Sequence, residues 1–195
     1  MAAITLTLEP LIQLTSEQFF QLCRANPDLR MERTARGELI VMPPTGWGTG
    51  HRNIKLTTQL QNWAEQNGMG LAFDSSTGFH LPNGADRSPD AAWVKRERIA
   101  AISPDPDQFL PLCPDFVVEL RSASDSLISL QNKLQEYMDN GALLGWLIDP
   151  QNQQVEIYRQ NQSKEVRQNP TCLSGENVLP GFVIDLQQIL NLTHS

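Results

Sequence analysis

The chain is poor in the residues that build covalently or metal-stapled scaffolds. Of 195 residues, three are cysteine, three histidine and two tyrosine. Cys23, Cys113 and Cys172 are odd in number and far apart, and no pair has the short gap of a zinc knuckle or redox motif. That spacing argues against a disulfide framework or a structural zinc site, and the thiols are expected to be buried and inert. No run approaches the roughly 18 apolar residues of a membrane span. The start, Met1-Ala2-Ala3-Ile4-Thr5-Leu6-Thr7, lacks the basic region and apolar core of a signal peptide, so a cytoplasmic location is expected. Positive charge is also scarce. Fifteen Lys and Arg stand against 22 Asp and Glu, a formal charge of −7. This opposes a broad electrostatic grip on nucleic acid, where phosphate neutralisation supplies much of the affinity. The local basic groups, Arg30, Arg33 and Arg36 and then Lys95-Arg96-Glu97-Arg98, read most simply as solvated charges on turns and strand edges.

What is present is ordinary globular composition, 40% hydrophobic and 19% charged. It suits one domain over residues 1–195, with a real core and no dividing linker. Thr15-Ser16-Glu17-Gln18 predicts a capping box ahead of a short helix carrying Phe19, Phe20, Leu22 and Cys23, stopped by Asn26-Pro27-Asp28. Leu29–Thr34 and Glu38–Met42 read as a hairpin around Arg36-Gly37. A longer helix is expected from about His51 to Gln66, with Leu56, Leu60, Trp63 and Ala64 as its apolar stripe and Asn67-Gly68 as its stop. Gly70–Phe73 and Thr77–Leu81 look like strands joined at Asp74-Ser75-Ser76. Arg98 to Cys113 reads as a loop with room for a short helix.

Two strands carry the chemistry. Pro114-Asp115-Phe116-Val117-Val118-Glu119-Leu120-Arg121-Ser122 is apolar and β-branched, with an acid and a base set inside it. Period-two geometry places Val117, Glu119 and Arg121 on one face and Phe116, Val118 and Leu120 on the other. Apolar residues on both faces predict a central, covered strand. A lone carboxylate is costly there, so Glu119 needs a cation, a proton or several donors. Upstream, Ser88-Pro89-Asp90-Ala91-Ala92-Trp93-Val94 opens a second apolar strand on a carboxylate. Two strand carboxylates with a basic neighbour are the raw material of a divalent-metal phosphodiesterase site.

Ser126 to Asn140 predicts a second long helix, with Leu127, Leu130, Leu134, Tyr137 and Met138 on its apolar face and Asn140-Gly141 as its stop. Leu143–Ile148 follows as a buried strand, turning at Asp149-Pro150-Gln151-Asn152 into Val155–Tyr158. Weaker signals mark a strand near Lys164–Arg167, another at Phe182–Ile184 and a last helix from Leu186 to Leu190. Strand, helix and strand from Asp115 to Asp149 form a plausible crossover. The class is α/β or α+β, with a central mixed β-sheet flanked by helices.

The ordered set SPDAAWV, PDFVVELRSASDSL and KLQEYMDNGALLGWLIDP resembles a large bacterial family of restriction-endonuclease-like proteins, abundant in cyanobacteria, within the PD-(D/E)XK nuclease superfamily. The resemblance extends from the first helix through GELIVMPPTG to the closing PGFVIDL. It implies a restriction-endonuclease-like core and a Mg²⁺- or Mn²⁺-dependent endonuclease acting on DNA. Asp90 matches the family's first acid and Glu119 the second. Arg121 stands where the superfamily pattern expects a base, and Lys133 matches a helix lysine that takes over in many relatives. Glu38 matches a recurring acid of the first hairpin, and His51 a recurring histidine. Ala123 departs from the proline common in relatives. A homodimer is implied too, since cutting two strands needs two sites.

Each residue also has a plainer reading. Asp90 and Glu119 with the Leu120 carbonyl would hold a hard cation; alternatively Asp90 is a turn or cap residue, and Glu119 a structural partner of Arg121 or Lys133. On a wheel of about 100° per residue, Lys133 lies about 40° from Tyr137 and about 60° from Leu130, at the margin of the buried stripe. It either points at the strand acids or snorkels to water. Arg121 stays protonated, so it clamps phosphate or neutralises Glu119, competing with metal. Glu38 is an accessory ligand or simply exposed. His51 contacts phosphate or lies on the surface. Ser122, Ser124 and Ser126 are loop and cap hydroxyls. The leading function is a divalent-metal endonuclease. The alternatives are a catalytically inactive nuclease-fold module binding DNA or protein, and a hydrolase of small phosphodiesters.

Overall fold

The strand Phe116–Leu120 is buried at every position, as its two apolar faces predict. In the computed structural model, which describes residues 3–191, the chain runs β1 (Ile4–Leu6), α1 (Ser16–Ala25), β2 (Arg30–Arg33), β3 (Leu39–Met42), α2 (Trp47–Asn67), β4 (Gly70–Asp74), β5 (Phe79–His80), β6 (Asp86–Arg87), β7 (Ala91–Lys95) and α3 (Arg96–Ile102). It continues through β8 (Phe116–Leu120), α4 (Leu127–Asp139), β9 (Leu144–Asp149), β10 (Gln154–Arg159), β11 (Glu165–Gln168), β12 (Cys172–Ser174), β13 (Val183–Asp185) and α5 (Gln187–Leu190).

A six-stranded mixed sheet in the order β11-β10-β9-β8-β7-β4 forms the frame. Only β8 and β9 run parallel, joined by α4. The pleat divides β8 as its sequence does. Phe116, Val118 and Leu120 enter one core cluster with Trp93, Trp146 and the α2 residues Leu56, Leu60 and Ala64. Val117 enters the other, with Ala92, Leu147 and the α4 residues Leu134 and Tyr137. Helices thus cover both faces, which is why β8 and β9 are continuous apolar runs. Gly145 in β9 lets α4 approach closely, since a Cβ there would lie 2.8 Å from Leu134 Cδ1.

A second, five-stranded sheet in the order β1-β3-β2-β6-β5 carries the first hairpin. The fold is therefore α+β with a mixed central sheet and flanking helices. The expected capping box is present: Thr15 Oγ1 accepts from Gln18 N–H, and Gln18 Oε1 accepts from Thr15 N–H.

Several expectations need correction. The α2 helix begins at Trp47, a turn before His51, because Gly46 in an extended conformation serves as its N-cap. Gly70–Asp74 and Phe79–His80 are not sheet neighbours. They pair with β7 and β6 respectively, in different sheets. The Arg98–Cys113 segment begins inside α3. The short strands β6 and β12 carry no apolar run that sequence periodicity could detect, whereas β1 lies in the alternating Ile4-Thr5-Leu6-Thr7-Leu8 and is an unexpected strand. Arg33 is not a solvated edge charge. It is buried, bonded to Asp86 at 2.7 Å and also to Ser16, Gly84 O and Leu14 O. Burial pushes the Cys23 thiol up to about 11 and the Cys113 thiol up to about 12, but Cys172 is exposed at the start of β12.

Gly70 is the tightest test of this packing. A Cβ there would fall 2.4 Å from both Trp93 Cε2 and the Val94 carbonyl. Gly70→Ala is expected to cost about 1–3 kcal/mol through overpacking, read as a lower urea midpoint with an unchanged m-value.

Candidate functional site

The register of β7 and β8 brings the two acids together. Ala91 pairs with Val118 and Ala92 with Val117 in antiparallel register. One step further, Asp90 and Glu119 lie across from one another, and cross-strand partners share a face. Asp90 Oδ2 accepts the Leu120 N–H at 2.8 Å, and Asp90 Oδ1 accepts from Asn53 Nδ2 of α2 at 3.1 Å. Both donors hold the carboxylate in one orientation.

Lys133 arrives from α4 on the same side. Its Nζ stands 2.9 Å from Glu119 Oε1 and 2.7 Å from Glu32 Oε1, and donates to Ser88 O at 3.3 Å. Glu32 in β2 also accepts from Ser88 N–H at 3.0 Å and Arg87 Nη1 at 3.1 Å. One ammonium therefore links the two sheets through a pair of carboxylates. Glu119 Oε1 is itself buried, and the Lys133 ammonium is the group that faces it.

These environments separate the acids. Burial pushes Glu119 up to about 8, with Asp90 and Glu32 adding and Lys133 opposing. Burial also raises Asp90, against the Leu120 N–H, Lys133, Asn53 and Arg30. Glu32 is equally buried, but Lys133 and Arg87 outweigh that burial and hold it below the ordinary carboxylate range. Lys133 loses by burial and gains more from Glu119 and Glu32, so it stays protonated. The site is a floor of two acids whose pKa burial raises, beside a fixed cation.

The floor opens into a cleft of about 1070 Å³ lined by Asp90, Glu119, Leu120, Arg121, Lys133 and Glu38, with further residues of α2 and the Ser122–Ser126 loop. Arg121 lies in this cleft but does not pair with Glu119. It sits one residue beyond the end of β8, and its Nη1 bonds the fully buried Asp149 at the end of β9, 2.8 Å away. The competitor for Glu119 is therefore Lys133. Glu38 is turned to its own hairpin, bonded to Thr34 at 3.1 Å and facing Arg36 at 3.4 Å. His51 is exposed, in the second turn of α2, and is not among the cleft residues.

Sequence reasoning missed Glu32, Arg87 and Asn53. Nothing in Arg30-Met31-Glu32-Arg33 separates Glu32 from Glu38, and only the approach of Lys133 from α4 selects it. Asn53 had a weak signal, a polar residue one turn before the Leu56 stripe.

The donor set fits a hard divalent cation. Asp90, Glu119 and the Leu120 backbone carbonyl supply oxygens, the ligand type that Mg²⁺ and Mn²⁺ take with waters. Among the described residues, no three His, Cys, Asp or Glu side chains group at metal-binding spacing, so two carboxylates carry that fit.

Comparison with known proteins bears on the family and the fold. The model of a family described as Uma2, putative restriction endonuclease, matches residues 16–187. A solved structure described as a putative nuclease belonging to DUF820, from Anabaena variabilis ATCC 29413, superposes with a TM-score of 0.76 at 18% identity, covering 91% of this chain and 97% of that one. At that identity the likeness is one of fold. No curated protein matches the chain.

The raised Glu119 pKa sets a pH dependence for the metal-free protein. Between pH 4.5 and about 8 the unfolded carboxyl has lost its proton and the folded one keeps it. The folded state then binds more protons, so stability falls as pH rises across that window. Glu119→Gln, which cannot ionise, is expected to flatten this slope, measured as urea midpoints at pH 5 and pH 8 in chelator. Equal slopes would mean that Glu119 is ionised throughout.

Proposed function

The chain belongs to the Uma2 family of putative restriction endonucleases, and from that premise we propose that it is a divalent-metal-dependent endonuclease hydrolysing phosphodiester bonds in DNA. One observation carries the reading. Glu119 is a buried carboxylate placed beside Asp90 on the lining of a cleft, with the Lys133 ammonium 2.9 Å from its Oε1. A carboxylate is expensive in such a place, and binding a cation offsets that cost.

Asp90, Glu119 and the Leu120 carbonyl would hold Mg²⁺ or Mn²⁺. When bound, the ion polarises a phosphoryl oxygen and lowers the pKa of a coordinated water. The chain's own residues do the rest. The Leu120 N–H and the Asn53 amide fix Asp90. Glu32 and Ser88 O hold the Lys133 ammonium in place, where it stabilises charge developing on the phosphate. Asp149 and the Asp125 carbonyl anchor Arg121, leaving the rest of its guanidinium to contact phosphate from the cleft wall. Glu38 and His51 have no part in this scheme.

One observation favours a second reading, a catalytically inactive nuclease-fold module that binds DNA or protein. Lys133 already compensates Glu119 at 2.9 Å, so the site has an internal cation. The two readings separate in a plasmid-nicking assay with Mn²⁺. Under the enzyme reading Glu119→Ala loses more than about 100-fold in nicking, beyond the usual effect of disturbing a ligand's outer support. Equal nicking by both proteins rejects Glu119 as a ligand. Metal-independent DNA binding that survives Lys133→Ala supports the inactive module. A homodimer belongs to the enzyme reading, and sedimentation equilibrium checks it.

A further inference from the structure

Trp47 is unusual for its exposure. It is the first residue of α2, it lines the cleft, and 72% of its surface is open to solvent. It is the only aromatic residue of the cleft lining among the described residues. Six carboxylates and six cations line the cleft, and the cations differ in how they are used. Lys133, Arg87 and Arg121 are committed to buried acids. Arg36 faces Glu38. Among the described residues Arg30 and Arg52 have no carboxylate partner. Arg30 donates only to the Ser75 carbonyl at 2.6 Å, and Arg52 to the Ile189 carbonyl at 2.8 Å. In a chain of charge −7, two uncompensated guanidiniums and an exposed indole share one cleft.

We infer that this cleft receives a locally unpaired nucleic-acid strand, with one base stacked on Trp47 and the flanking phosphates held by Arg30 and Arg52. The inference rests on the nuclease reading of the Asp90–Glu119 floor and names the form of its substrate. Its physical basis is the stacking face. Bases inside an undistorted duplex offer their faces to neighbouring bases, so an indole stacks on one most readily when it is unpaired or extruded. An aromatic platform in a cationic groove is the usual grip on a single strand. Placement agrees. Asn53, which holds Asp90, follows Trp47 by six residues, about 9 Å along the helix axis. A strand with its phosphate over the acids passes the indole. The cleft volume, about 1070 Å³, is at the upper limit of small-ligand pockets and suits a short stretch of strand.

The test is fluorescence anisotropy with labelled dT12, rU12 and a 12-base-pair duplex, in Ca²⁺ at fixed salt, together with nicking in Mn²⁺. The expected result is tighter binding of a single strand than of the duplex, with quenching of tryptophan emission. Trp47→Ala should weaken single-strand binding about tenfold, while Trp47→Phe retains most of it and loses the quenching. Arg52→Ala and Arg30→Ala should each lower the salt slope by about one. Ile54→Ala, exposed on the same helix outside the cleft, should match the parent. A preference for dT12 or for rU12 identifies the sugar, and either supports the inference. Unchanged single-strand affinity in Trp47→Ala, or tighter duplex binding, overturns it. So does a change in oligomeric state in Trp47→Ala with no change in binding. If Glu119-dependent nicking persists in those cases, only this inference falls. If the parent binds no oligonucleotide and nicks nothing, the nuclease reading falls with it.

Discussion

The structure depends on one ammonium. Lys133 Nζ sits between Glu32 and Glu119, at 2.7 and 2.9 Å. Those acids belong to different sheets, and the lysine belongs to the helix that packs on β8 and β9. A buried ion pair contributes little over an apolar isostere of similar size, while an unpaired buried charge is severely destabilising. Net stability therefore does not account for this arrangement. What it does is hold three elements in fixed relation around a polar floor, with the Asp90–Glu119 pair beneath.

The electrostatics of the floor follow from unequal satisfaction. Glu32 has three aligned donors and stays a low-pKa carboxylate despite burial. Glu119 shares that cation but has no counterpart of the Arg87 and Ser88 donors, and burial wins. The first is a structural anchor. The second lines the cleft. Arg121, one residue past β8, pairs with Asp149, so the cation on Glu119 is Lys133 alone among the described residues.

The frame was legible because β8 and β9 obey simple rules. Apolar residues on both pleat faces of Phe116–Leu120 imply helices on both sides, and the α2 and α4 stripes supply them. The acids at 90 and 119 were legible for the same reason: a carboxylate in an otherwise apolar strand has to be explained. The second sheet was far less readable. Its strands β5 and β6 are two residues each, and β6 is Asp86-Arg87, which no propensity marks as strand. Its charges are satisfied by distant residues, Arg33 for Asp86 and Glu32 with Glu136 for Arg87. Those ion pairs span sequence separations that no local pattern records.

The sequence by itself determined what is periodic or chemically costly: the two long helices, the buried parallel pair, the fold class, and the presence of an acid that needs compensation. Tertiary structure decided the partners. It gave Lys133 to Glu32 and Glu119, gave Arg121 to Asp149, turned Glu38 back on its hairpin and left His51 outside the cleft. The reason is range. Periodicity encodes which face a residue takes within its own element, whereas a charge bonds whatever opposite charge the packing of separate elements brings within about 3 Å.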